Sequence, residues 1–107
     1  MGQIVIAAFK PKPGLEAELS QVIADRLPLL RRLGLATDRA NVTMRAANGT
    51  IIDVSEWTND EAIARAHETP EVFELWKRFE ACSDYVKLDS LAEVHQDFAT
   101  FDAVADC

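Results

Sequence analysis

The chain predicts an α+β domain of order βαββαβ. Three observations carry this: an opening β-branched run, "QIVIAAF"; a long stripe of apolar residues at three- and four-residue steps; and a hairpin pattern followed by a second helical run. That order is the split βαβ or ferredoxin-like arrangement, a four-stranded antiparallel sheet with the helices on one face. At 107 residues the chain has length for one core, so residues 1–107 are read as a single domain.

In the first strand, residues 3–9, both alternating sets are apolar: Val5, Ala7 and Phe9 on one side, Ile4, Ile6 and Ala8 on the other. Such a strand needs cover on both faces. "KPKPG" ends it, because prolines supply no ladder donors and Gly14 permits a tight turn. From Leu15 to about Leu33, the residues Leu15, Leu19, Val22, Ile23, Leu27, Leu30 and Leu33 form one helical stripe. Arg26, Arg31 and Arg32 are assigned to its wet side. Pro28 predicts a kink or break, at a cost of roughly 3 kcal/mol for an interior proline. Gly34 is the expected stop.

"NVTMRAANGTIIDVSEW" reads as a hairpin turning at Asn48-Gly49, a pair suited to a two-residue turn. Alternation on its second strand places Ile52, Val54 and Glu56 on one face and Ile51, Asp53, Ser55 and Trp57 on the other. A face that mixes Trp with Ser and Asp is either partly solvated or lines something polar. In "WTNDEAIARAHETPEVFELW", Thr58 and Glu61 fit a capping box and Thr69-Pro70 a second helix start. Two helical pieces, 58–68 and 70–83, are therefore expected, with a bend between them. In the tail, helical and alternating spacings compete; a short turn or helix near 86–91 and a final strand at about 93–101 complete the sheet. With both helices on one face, the opposite face calls for a homodimer packed sheet to sheet.

Eleven basic against eighteen acidic residues give a formal charge of −7, which sets the general field against a nucleic-acid partner. The opening segment is short, lacks a basic leader and soon reaches Lys10, so neither a signal peptide nor a membrane span is expected and the location is taken as cytoplasmic. Cys82 and Cys107 form no CxxC pair; Cys82 reads as a small buried hydrophobe and no disulfide is expected.

The pieces "VIAAFKPKPGLEAEL", "VSEWTNDEAIARAHETPEVFELW" and "FATFDAV", in this order, resemble the antibiotic biosynthesis monooxygenase-like family of the dimeric α+β barrel superfamily. The resemblance implies a homodimer in which two sheets meet as a barrel, with a small-molecule cavity between each sheet and its helices. It also implies a range of activities, from cofactor-independent oxygenases of aromatic rings and quinols to haem-degrading enzymes. Haem-degrading relatives carry a proximal His shortly after a Val-Phe pair. Here "EVFELWKRF" has Trp76 and Lys77 in that neighbourhood.

His67 is the candidate catalytic group, because imidazole exchanges protons near neutral pH and can convert a phenol-like substrate to the anion that reacts with dioxygen. It equally fits the polar end of a short helix beside Trp57 or Trp76. Trp57, Trp76 and Phe79, with Phe73 and Phe9 as lesser candidates, can stack on a planar aromatic or quinol-like ligand, or can serve as core. Glu56, on a largely apolar face, needs a partner such as an interfacial arginine, or else acts as a base. His67, His95 and Cys82 show no metal-ligand spacing, and no phosphate-binding glycine loop or nucleophile elbow is present, so no metal or cofactor is expected. The alternative to an oxygenase is a small-ligand-binding or structural protein without a reaction.

Overall fold

The structure, a computed structural model, describes residues 2–104. Its elements are β1 (Gln3–Pro11), α1 (Glu16–Arg32), β2 (Val42–Arg45), β3 (Ile51–Trp57), α2 (Asp60–Ala66), α3 (Pro70–Cys82), β4 (Ser83–Tyr85) and β5 (Asp102–Ala103). The strands form one antiparallel sheet in the order β4-β1-β3-β2-β5. This is α+β with a roughly ferredoxin-like order, and the alternation read for β1 and β3 holds across their shared register from Gln3↔Trp57 to Phe9↔Ile51.

The fourth strand is not where the tail pattern placed it. Three residues directly after α3, Ser83–Tyr85, pair with the end of β1 and take the edge position. Residues 93–101 form no strand. Two 3-10 turns, Leu88–Ser90 and Ala92–His95, lead instead to the two-residue β5, which pairs with β2. The competing helical spacing of Leu91 and Val94 is the one realised locally, and His95 ends a turn rather than sitting on a strand.

α1 runs unbroken through Pro28. Pro28 is exposed, so the carbonyl deprived of its helical donor lies on the side where water can replace it. The helix ends as the sequence requires: Gly34 adopts φ 75°, and the Leu35 and Gly34 amides bond back to the Leu30 and Arg31 carbonyls in a Schellman arrangement. The hairpin differs in detail. Ala46 N–H donates to Thr50 O, so the loop is the three residues 47–49, with Gly49 at φ 92° and Asn48 Oδ1 accepting from Thr50 N–H.

The helix-side core has two parts. Phe9, Leu19, Val22, Ile23, Ile51 and Phe79 cluster around a stacked Phe9–Phe79 pair, with centroids 4.3 Å apart; Leu27, Leu30, Leu35, Trp57, Ala62 and Val72 form the other part. On the opposite face, the tail crosses the sheet and seats Leu91 against Ala8, Ala46 and Ile52. Glu93 Oε2 accepts from Ala47 N–H at 2.7 Å and anchors it. The chain thus covers part of the face for which a second copy was expected. Ile4, Ile6 and Val42 remain about half exposed there, and Phe98 is 89% exposed. No helix among the described residues is long and apolar enough to cross a membrane.

Candidate functional site

A cavity of about 200 Å³ opens between the helix-facing side of the sheet and the α2–α3 pair. Its floor is Val5, Ala7 and Phe9 of β1 together with Trp57 of β3; its cover is Ile63, Ala66 and His67 at the end of α2 and Trp76 and Phe79 of α3. Arg26 and Tyr85 complete the lining. Arg26 and Trp57 are buried, whereas His67 and Tyr85 are exposed, so the buried pair lies on the inner wall and the exposed pair on the rim.

The short α2 positions His67. Asn59, not Thr58, is its cap: Asn59 Oδ1 accepts from Ala62 N–H at 2.9 Å, while the Thr58 hydroxyl donates to the Gly34 and Leu35 carbonyls. Asparagine accepts as well as threonine at this position, and Thr58 is drawn to the α1–β2 loop. α2 ends at Ala66 with His67 as its C-cap, and Pro70 starts α3 after Thr69, whose hydroxyl donates to Arg65 O rather than capping α3. His67 therefore ends the helix and also lines the cavity.

His67 Nδ1 lies 2.9 Å from Ile63 O. A carbonyl only accepts, so in the neutral ring the proton sits on Nδ1 and Nε2 keeps a lone pair. The ring meets Trp76 edge to face, at 5.1 Å between centroids and 61° between planes. Trp76 in turn meets Phe73 at 5.7 Å. Phe73 stands behind Trp76 and does not line the cavity, whereas Trp57, Trp76, Phe79 and Phe9 do.

Arg26 corrects its assignment to the wet side of α1: it is 6% exposed. Its Nη1 donates to Asp53 Oδ2 at 2.8 Å and to Ser55 Oγ at 3.3 Å. Asp53 Oδ1 accepts from the Thr43 hydroxyl and from Asn41 Nδ2, both at 3.0 Å. The mixed face of β3 thus lines a buried guanidinium. Burial pulls the Arg26 pKa down, and the Asp53 carboxylate opposes that pull. The residue was findable from spacing, because 26 lies three and four residues beyond the stripe positions Ile23 and Val22, opposite a strand offering an unexplained carboxylate. Tyr85 was not, because the strand that presents it has only three residues.

Two further polar groups belong to this region. Trp57 Nε1 is sealed from solvent and has no acceptor among the described residues. Tyr85, tilted against Phe9 at 5.7 Å, has its phenol pKa pushed up by burial and by Glu80, with Arg26 opposing. It is a hydroxyl donor at neutral pH.

Glu56 lies away from the cavity on the other face of β3. It is held within its own chain by the Thr37 hydroxyl at 2.7 Å and Arg39 Nε at 3.2 Å, and the Thr37 hydrogen bond leads the causes that lower its pKa. His95 Nε2 donates to Asp89 O, and Cys82 is buried. Cys107 lies outside the described residues. Among the described residues no group of three or more His, Cys, Asp or Glu gathers as a metal site. No family model matches this chain, nor does any curated protein or solved structure.

Proposed function

We propose that the chain binds a small, largely apolar aromatic or quinol-like molecule in this cavity, and that His67 removes a proton from its hydroxyl as the activating step of a cofactor-independent oxidation. The observation that carries the reading is the 2.9 Å contact of His67 Nδ1 with Ile63 O beside the cavity: in the neutral ring it commits Nδ1–H to the carbonyl and leaves the Nε2 lone pair for a ligand. Aromatic and aliphatic walls supply the contact surface. A dry apolar cavity of about 150 Å³ accepts benzene, so about 200 Å³ suits a one- or two-ring molecule. The resemblance to antibiotic biosynthesis monooxygenase-like proteins, carried by the β1 turn and the Trp57–Trp76 segment, supports the same reading.

The chemistry balances without an external reductant. Loss of the hydroxyl proton to His67 makes the ring electron-rich. In a quinol, a ring C–H then becomes C–OH and the two hydroxyls become carbonyls, with one dioxygen atom entering the product and the other leaving as water. The substrate supplies all four electrons. The test is dioxygen consumption over a panel of quinols and polyhydroxylated aromatics, comparing the parent with His67→Ala. Turnover lost in the variant supports the base role, and unchanged turnover rejects it. Binding without turnover by either protein selects the non-enzymatic ligand-binding alternative.

We further propose that a second copy of the chain covers the sheet face left open by the tail. Ile4, Ile6 and Val42 form an apolar strip there, and the acid beside it, Glu56, is neutralised by Arg39, so two acidic chains can approach without a carboxylate repulsion at the contact. Sedimentation of the parent and of Ile6→Arg tests it. A monomeric parent at micromolar concentration refutes the dimer.

A further inference from the structure

Arg26, His67 and Tyr85 are the titratable side chains that line the cavity, and no carboxylate lines it. In a chain of formal charge −7 the wall therefore reverses the general sign. Its permanent cation is Arg26, 6% exposed. Of the five N–H protons of a guanidinium, those engaged among the described residues are on Nη1, which donates to Asp53 Oδ2 and Ser55 Oγ. Nε and Nη2 bond to no acceptor there, yet neither is sealed from solvent. On a side chain so buried that also lines the cavity, the surface these nitrogens keep is cavity surface. Nε–H and one Nη2–H run parallel along one edge of the guanidinium, at the spacing of two carboxylate oxygens. Asp53 does not reach that edge: its Oδ2 is on Nη1, and its Oδ1 is held by Thr43 and Asn41, which take up part of its charge.

We infer that the cavity's ligand is a small aromatic carboxylate, its two oxygens set on the Nε–Nη2 edge of Arg26 and its ring against Val5, Ala7, Trp57 and Trp76. This rests on the small-molecule reading above and adds to that molecule an anionic group and the residue that receives it. A carboxylate fills both free donor positions of the edge at once, which a single carbonyl oxygen does less well, and a charge-assisted pair of parallel bonds is among the strongest a protein makes. Ala7 has no side chain to occupy the space over the centre of β1, and its partner across the sheet is Asp53, so the opening in the floor lies beside the guanidinium. Tyr85 adds a hydroxyl donor to the same wall, and the Arg26 charge acts on its phenol. The apolar remainder of the lining is what holds the ring.

NMR titration of the parent with benzoate, benzamide and toluene at neutral pH tests the assignment, since the three share a ring and differ in charge and in acceptors. Benzoate should bind about 10-fold or more tighter than either of the others, the scale of hydrogen bonds to a charged group, and should move the Arg26 Nε–H resonance downfield. Arg26→Lys keeps a counter-charge for Asp53 and loses the parallel edge, so it should abolish the preference for benzoate. Benzamide binding as tightly as benzoate makes this a site for a neutral acceptor and overturns the inference. So does a preference retained in Arg26→Lys, or an Nε–H resonance unmoved when the parent is saturated with benzoate, a measurement that needs no variant to fold. Toluene binding without benzoate binding overturns the inference and leaves the small-molecule reading standing. Failure of all three probes to bind the parent removes both.

Discussion

Replacing Asp53 with alanine is the most informative perturbation of the fold. The Arg26 and Asp53 side chains are only 7% and 2% exposed, and the carboxylate collects Arg26, Thr43 and Asn41. Removing it leaves a guanidinium, already destabilised by burial, without its counter-charge. Breaking a buried pair from one side costs about 3–5 kcal/mol. A domain of this size has a total of about 5–15 kcal/mol to lose, so Asp53→Ala should lower Tm by about 10 °C or more. Urea denaturation followed by far-ultraviolet dichroism measures the loss directly. The paired change Arg26→Met with Asp53→Leu should recover most of it, because a buried ion pair replaced by apolar groups of similar size is often neutral or stabilising. A loss below about 1 kcal/mol in Asp53→Ala, the range of an exposed pair, would refute the claim that this pair is buried. Equal losses in the single and double variants would refute the claim that the unpaired charge is what costs.

Three other outcomes are expected. Asn59→Ala should destabilise the chain by about 1 kcal/mol through loss of the α2 cap, whereas Thr58→Ala should cost less, and thermal denaturation of the two variants ranks them. Glu56 has a lowered pKa in the folded state, so its stabilising contribution is present above its ordinary value of 4.5 and is lost as pH falls through the lower folded value; in Thr37→Val that acid-dependent loss should shrink, and the Glu56 carboxyl should titrate closer to 4.5 by NMR. Leu91→Ala should cost about 2–5 kcal/mol as a large-to-small core change, with amide exchange accelerated in residues 86–95 more than in α1.

The legible parts of this fold are those where one local pattern dominates. β1 is doubly apolar, α1 has an uninterrupted stripe, and β3 alternates so strictly that its two faces are assigned correctly from Ile51 to Trp57. The errors fall where two local signals compete or where a tertiary partner decides. Asn48-Gly49 marks the hairpin, but the Asn48 side chain bonds Thr50 N–H and the loop takes three residues. Residues 93–101 carry both periodicities, while the realised edge strand, Ser83–Tyr85, is too short to alternate visibly. Arg26 was set on the wet face by its charge although its spacing set it on the stripe. The unexplained Asp53 and Ser55 were the other half of that clue. For the site, the aromatic candidates and His67 were visible from residue type. The buried Arg26 on the cavity wall was not, since its burial depends on Asp53 and Ser55 of a strand distant in sequence.

The cavity itself follows from small residues placed where large ones would close it. Ala7 on β1 and Ala66 on α2 are lining residues, and a leucine at either place would occupy space now open. The break at Thr69-Pro70 has a related effect, because α2 stops after seven residues and leaves His67 as an end rather than one more turn of a continuous cover. Sealed and empty, a cavity of about 200 Å³ would cost roughly 5 kcal/mol at about 24 cal/mol per Å³. The exposed rim residues His67 and Tyr85 reduce that cost by admitting water. A largely apolar ligand of matching size would remove the remainder by filling the volume that the small residues leave open. That shape, an apolar space with His67 on its rim, makes the cavity the part of this molecule where function should be sought.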